Sequence, residues 1–298
     1  MTRPAPAEVH VRLLRDEDVA ASEQMSSRAL EEIDLQFGLA VEPRDEARIA
    51  GGQMRIRHLA STDPEGSVVA ERGGEIVGIG LALRRGSLWF LSLMAVRGDV
   101  QGGGIGRRLM DATLEYGKHC ALGMICASPD PRALRRYGRA GFTLHAGYEA
   151  EGIPDRAEMP AGLGVREGDW GRDADFVEAL AARRRGEPYG PDLDFARRRG
   201  MRLLVLDGPS RDDRAICMLR GGNVAVLAGA TEEAASRMLW AALAEIRGAA
   251  TLSYLLGNQQ WAIEIALAAR LRLKPLDTLA IRGMAAPPTL YLPSGVFG

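Results

Sequence analysis

Apolar and polar residues alternate in "VHVRL" (9–13), and an acidic stretch, "RDEDV", follows directly. The period of two predicts a strand and the acidic stretch a helix start, so the chain opens with a strand and a helix reaching about Leu30. "DEARIAGGQMRIRHLA" (45–60) reads as a second helix, weakened by its glycines. Residues 67–96, "SVVAERGGEIVGIGLALRRGSLWFLSLMAV", read as three strands cut by the turns "RGG" and "RRGS". Beyond them Ile105, Leu109, Thr113, Tyr116 and Cys120 recur at helical spacing and predict one amphipathic face. "GMICASP" is a short apolar strand, and "DPRALRRYGRAG" a helix with Pro131 at its start and Gly141 at its end. "FTLHAGYEA" is a final strand.

Residues 150–161, "AEGIPDRAEMPA", break the pattern with Pro, Gly and charge, and predict a linker. The pattern then begins again. "GLGVREGD" echoes "VHVRLLRDED", and "DADFVEALAARRRG" supplies a helix. "MRLLVLDG", "RAICMLRGG" and "NVAVLAGA" supply three strands, and "TEEAASRMLWAALAEIRG" a helix. "ATLSYLLGN", "QQWAIEIALAARL" and "KPLDTLAIRG" add strand, helix and strand. The expected class is α/β (α+β by some schemes), as two diverged copies of one fold, residues 1–155 and 162–298.

Composition narrows the function. With 298 residues, 46% hydrophobic and 26% charged, each half can bury a core. Lys+Arg of 38 against Asp+Glu of 39 argues against nucleic acid or an anionic membrane as main partner. Three cysteines and four scattered histidines lack metal-site spacing, so no metal is expected. No apolar run has the length of a signal peptide core or a membrane span, which makes the cytoplasm the expected location.

The candidate chemistry lies in "MAVRGDVQGGGIGRRLM" (94–110), where Gly102, Gly103, Gly104 and Gly106 precede or open a helix. A helix start presents unpartnered N–H groups and the positive end of the dipole, and glycines let a ligand approach closely, so the pattern predicts a phosphate site. Arg107 and Arg108 add positive charge where the dipole favours acids. A Walker loop is excluded by the missing lysine; G-x-G-x-x-G fails because its last position falls on Arg107 or Leu109. A flexible surface turn is the competing reading. What remains is Gln101-x-x-Gly104-x-Gly106, which resembles the pyrophosphate loop of the GNAT superfamily of acetyl-CoA-dependent N-acetyltransferases. A second motif of that superfamily is matched by Asp130, Ala133, Tyr137 and Gly141-Phe142, with Asp130 standing where relatives carry Asn. The resemblance covers about residues 8–150 directly.

The resemblance implies, for each half, a mixed, splayed sheet flanked by helices. In the first, acetyl-CoA would serve as acyl donor. Its pantetheine arm would pair with the backbone of Met94, Ala95 and Val96; Gln101, Gly102, Gly103, Gly104, Ile105, Gly106 and Arg107 would form the diphosphate loop. A backbone N–H near Met94 or Ala95 would polarise the thioester, and Tyr137 would protonate the departing thiolate, unless it is a tyrosine merely packed on the sheet. The general base is not legible: "LWFLSL" has no acid, and Glu31, Glu32, Asp34 and His58 read more readily as solvated helix-face residues than as a base. In the second half "LAGATEEAASRM" keeps Gly229 but places Glu232 and Glu233 in the first turn, where they repel phosphate. The tyrosine position there falls on Ile265 or Ala268, so no cofactor site is expected, and Asn258 and Trp261 read as packing residues. Tandem chains with one live half occur in the superfamily, including one that makes mycothiol and keeps its second half active. The tail "PPTLYLPSGVFG" is expected either to reach the first domain near the acceptor site or to form the second copy's own edge strand.

The expected reaction is direct acetyl transfer to a primary amine of a small molecule or peptide, in a ternary complex. A non-catalytic acyl-CoA sensor and a transferase of longer acyl groups are the alternatives. The amine acceptor, with a second copy of the chain in a homodimer, completes the expected partners.

Overall fold

The computed structural model describes residues 8–39, 41 and 43–298. Two compact units form: residues 1–84 with 89–120, and residues 85–88 with 121–298. The division at 120/121 differs from a boundary in the 150–161 connector.

In the first unit, strand β1 (Val9–Leu13) leads to helices α1 (Val19–Gln36) and α2 (Glu46–Thr62). Strands β2 (Ser67–Arg72), β3 (Glu75–Arg85) and β4 (Leu88–Val96) follow, in the order β1-β2-β3-β4, and helix α3 (Ile105–Tyr116) comes after the glycine loop. β1 pairs antiparallel with β2, and β2 with β3. Val11 and Ala70 are paired and share the face on which Ile105 and Leu109 of α3 pack. Gly78 and Gly80 leave room for this helix: a Cβ on Gly78 would lie 2.9 Å from Leu109. α3 ends at Tyr116, so Cys120 is not on its face. Gly117 follows as its C-cap, where the Trp89 ring fills the space a side chain would need, and the Trp89 indole N–H donates to the Thr113 carbonyl at 2.8 Å.

The second unit starts with β5 (Leu122–Ala127), α4 (Pro131–Arg139) and β6 (Thr143–Gly152). The later succession is β7 (Arg166–Glu167), α5 (Ala174–Arg185), α6 (Asp192–Arg198), β8 (Arg202–Asp207), β9 (Arg214–Arg220), β10 (Asn223–Gly229), α7 (Glu232–Glu245), β11 (Ala250–Leu256), α8 (Gln260–Ala268), β12 (Arg272–Arg282) and β13 (Tyr291–Leu292). Strand, two helices, three strands, helix, strand, helix, strand thus occurs twice along the chain. The unit's strands run β5-β12-β6-β11-β10-β9-β8-β7, with β13 on β10. The sheet is mixed: β10 and β11 are parallel, the other pairs antiparallel. β12, from the end of the chain, lies between β5 and β6 and pairs with both. β6 in turn pairs with β11. This exchange of neighbours draws β5 and β6 into one unit with the later elements.

A buried ion pair fixes one end of this unit. Arg85 donates two parallel hydrogen bonds to the Asp192 carboxylate at 2.8 and 2.7 Å, with side-chain exposures of 6% and 0%. Asp192→Ala is expected to leave a buried guanidinium without its counter-charge and to cost about 3–5 kcal/mol, seen as a lowered urea midpoint. An unchanged midpoint would show that water replaces the carboxylate there.

Candidate functional site

The glycine loop is shaped by backbone bonds before any ligand is considered. After β4 the chain makes a tight turn at Gly98–Val100, in which Val100 N–H donates to the Arg97 carbonyl. Gln101 then folds its side chain back, Nε2 donating to the Val96 carbonyl at 2.9 Å. Gly102 and Gly104 take φ of +89° and +78°, conformations that strain any L side chain. Gly104 caps α3 without a side-chain acceptor, and a Cβ on Gly102 or Gly104 would meet nothing within 4 Å. These glycines therefore serve conformation and open space, not close packing. The result is an uncapped helix start facing empty volume, the arrangement that suits an oxyanion.

Each candidate loop residue can be placed. The Ile105 side chain is buried among Val100, Leu109 and Val68, so only its backbone is available to a ligand. Met94 and Val96 pack against the same cluster, and Ala95 is buried. Gly103 and Gly106 contribute backbone only. Arg108 donates to the Val9 carbonyl at 2.6 Å, and Arg97 is neutralised by Asp99 and Glu75 at 2.7 and 2.9 Å. Arg107 is exposed, with Asp111 3.8 Å away, and is the loop's solvent-facing cation.

Tyr137 belongs to the second unit. Asp130 caps α4, accepting from Arg132 N–H at 2.9 Å, which gives the aspartate in the Asn position a structural task. The Tyr137 carbonyl accepts from Ala140 and Phe142 N–H groups around Gly141, φ +83°. Phe142 then packs on Gly123, with Arg282 stacked 5.0 Å above its ring. Burial pushes the Tyr137 phenol up to about 12; Arg136 opposes this and Asp130 adds to it. A phenol so perturbed keeps its proton at neutral pH and can donate it.

Among the acids of α1, Glu32 lies against the loop entrance: a Cβ on Gly98 would sit 2.5 Å from its Oε2. Glu32 also lines a groove of about 890 Å³ with Asp18, Met25, Arg28, Arg97 and Asp99. Glu31 accepts from Ser27 Oγ, and burial raises the Asp34 carboxyl. His58 is buried within α2. Among the described residues, no group of three or more His, Cys, Asp or Glu could hold a metal, and no helix is long and apolar enough to cross a membrane.

The corresponding helix start in the second half is built differently. Thr231 caps α7, accepting from Ala234 N–H at 3.2 Å, ahead of Glu232 and Glu233. β10 pairs with β11 only at Asn223 and Val224; farther along, Leu227 and Ala228 pair with β13 of the tail. Gly229 N–H donates to the Leu290 carbonyl. The tail is thus an added strand on the second half's β10, and its Ser294 carbonyl accepts from Cys126 Sγ at 3.6 Å. Asn258 donates to the Pro287 carbonyl and Trp261 to that of Thr289, so both clamp the tail; Trp261 is buried as expected, whereas Asn258 is exposed and does not pack in the core. The reading of the sequence passed over Gln259, which is fully buried and donates to the carbonyls of Pro288 and Tyr291 at 3.0 and 2.8 Å. Its signal was a glutamine just ahead of a largely apolar helix, beside a second glutamine, Gln260.

The profile described as "Acetyltransferase (GNAT) family" matches residues 28–142. A mycothiol acetyltransferase of Streptomyces bingchenggensis is 38% identical over 91 residues, which span 28% of this chain and 29% of that protein. Among solved structures, a candidate acetyltransferase from Pyrococcus horikoshii superposes with a TM-score of 0.76 at 16% identity, over 97% of this chain and 96% of its own. A GCN5-related N-acetyltransferase from Sphaerobacter thermophilus gives 0.57 at 14% identity, over 92% and 95%. At such identities the structural matches establish the fold, a mixed sheet flanked by helices, along nearly the whole chain.

Proposed function

We propose, from the match of residues 28–142 to the model of the acetyltransferase (GNAT) family, that the protein transfers an acetyl group from acetyl-CoA to a primary amine of a small molecule or peptide. The observation that carries the reading is the uncapped start of α3 behind Gly102 and Gly104. Backbone N–H groups from Gly102 to Arg107 hold the diphosphate, and Gln101 fixes the turn that presents them. The pantetheine arm pairs with the backbone of Met94–Val96, where an N–H polarises the thioester carbonyl; one such donor is worth about 2.7–4 kcal/mol. The amine attacks directly, the C–S bond breaks, and Tyr137 protonates the sulfur. Residues 162–298 repeat the element order of the first half without a cofactor, because the start of α7 carries its own cap and two carboxylates and the tail occupies the end of β10.

The test is acetyl-CoA thiol release across a panel of amines. Release that rises with amine concentration is expected for at least one aliphatic amine. Binding of acetyl-CoA with release never above hydrolysis, across a broad panel, would instead favour an acyl-CoA sensor.

A further inference from the structure

Helix α4, "PRALRRYGR", carries four arginines and no acid in 9 residues. Arg132, Arg135, Arg136 and Arg139 stand at i, i+3, i+4 and i+7, which places them on one face within an arc of about 100°. The rest of the helix is used for packing: Tyr137 is buried, and Ala133 and Leu134 are half-buried. Arg132, Arg135 and Arg139 are exposed, and Arg136 is half-buried. Arg132 is paired with Asp130 of the cap at 3.0 Å, whereas Arg135, Arg136 and Arg139 form no ion pair among the described residues. Arg282 of β12 adds a cation at the C-terminal end of the helix, its side chain next to Gly141 and its guanidinium over the Phe142 ring.

Such a stripe works against the helix that bears it. Arg132 and Arg139 each lie at contact spacing from both Arg135 and Arg136, and like charges so placed are destabilising. Arg132 also sits in the first turn, where the dipole disfavours a cation. The fold does not ask for this. α8, which holds the same place in the second order of elements, reads "QWAIEIALA", with no arginine or lysine and one acid, Glu264. Nor does the chain as a whole have basic excess, its net charge being −1. The cations are therefore gathered on α4 beyond what folding requires.

Guanidinium groups in a row of about 10 Å offer planar forks to carboxylates or phosphates. Three features favour carboxylates on a protein helix. The one aromatic ring of α4, Tyr137, is buried, so bases find no ring to stack on. Its one large aliphatic side chain, Leu134, is half-buried, so the exposed face has no apolar edge to enter a bilayer. The arginine spacing itself matches the spacing of acids along one face of a helix laid beside it, the arrangement by which charged helix faces select partners. We infer that the arginine face of α4 docks a protein partner through an acidic helical segment. The inference concerns one face of the second unit and stands apart from the acetyltransferase reading.

The test uses the full chain and an alanine-based helical peptide with glutamate at i, i+3, i+4 and i+7, beside the same peptide with lysine in those places. Fluorescence anisotropy should show saturable binding of the glutamate peptide and none of the lysine peptide. That binding should weaken as salt rises from about 50 to about 300 mM. Arg135→Glu with Arg139→Glu should raise the Kd about tenfold or more and reverse the preference towards the lysine peptide. Arg135→Gln with Arg139→Gln should keep or raise Tm, since it removes like-charge pairs. Acetyl-CoA binding should be unchanged in both variants. No binding of the glutamate peptide by wild type, or equal binding by wild type and the reversed variant, would overturn the inference. A lowered Tm in the glutamine variant would overturn it in favour of arginines that hold the fold, and lost acetyl-CoA binding in favour of a cofactor contact. Tighter binding of a single-stranded oligonucleotide or of phosphatidylserine vesicles, abolished in the reversed variant, would overturn it in favour of a phosphate-bearing partner.

Discussion

Tyr137→Phe is expected to lower kcat by about 10²–10³-fold, the usual contribution of a positioned proton donor, while leaving the Kd for acetyl-CoA unchanged. The phenol is buried on α4 and held in its protonated form by that burial, up to about 12. The ring of phenylalanine fills the same volume, so packing is preserved and only the O–H is lost. Since the group stays protonated throughout the working range, the wild-type profile should show no basic limb from it below about pH 11. Initial rates of thiol release, with Kd from calorimetry, separate the two effects. Unchanged kcat would assign the tyrosine to packing and leave protonation of the thiolate to water.

The second large effect concerns binding. Gly104→Val should raise the Kd for acetyl-CoA about a hundredfold, the loss of one or two hydrogen bonds to a charged group. The branched side chain strains the +78° conformation and occupies the open volume before α3. Strain alone lowers stability by about 1–2 kcal/mol, so a control is needed to separate it from the binding effect. Gly74, in the turn between β2 and β3, has φ +83° and equally open surroundings. Gly74→Val should therefore lower Tm by a similar amount and leave Kd unchanged. Equal effects of the two substitutions on Kd would mean that strain, and not the loop, governs binding.

The parts of the molecule written in local pattern were legible in the sequence. Apolar runs cut by the turns "RGG" and "RRGS" marked β2, β3 and β4, and the glycine cluster before an amphipathic run marked the start of α3. Local pattern carries period but not partner, so the placement of β12 between β5 and β6 could not be read from "KPLDTLAIRG". The extent of α3 was overread for a different reason. Cys120 falls in register with the helix, yet Gly117 yields its side-chain space to Trp89, a contact remote in sequence. α6 was missed because "GPDLDFARRRG" is short and carries few apolar residues, although Pro191 and Asp192 mark its start. In the candidate site, the loop and Tyr137 were accessible through spacing.

The tail illustrates the same limit. Its sequence left open whether it joins the first domain or the second copy. The pairing of Tyr291–Leu292 with Leu227–Ala228 comes from a gap that opens between β10 and β11 after Val224. A strand that fills this gap makes the backbone bonds that an extended ligand would otherwise make there. That occupancy, with Thr231 as cap, distinguishes the second of the two like element orders from the one that carries the proposed site.

A crystal structure of the protein with coenzyme A measures the central claim most directly. One cofactor per chain is expected, its diphosphate against the N–H groups of Gly102 to Arg107 and its arm along Met94–Val96. Coenzyme A lodged beside Gly229–Thr231 in place of the tail, or a loop left empty at saturating cofactor, would contradict it.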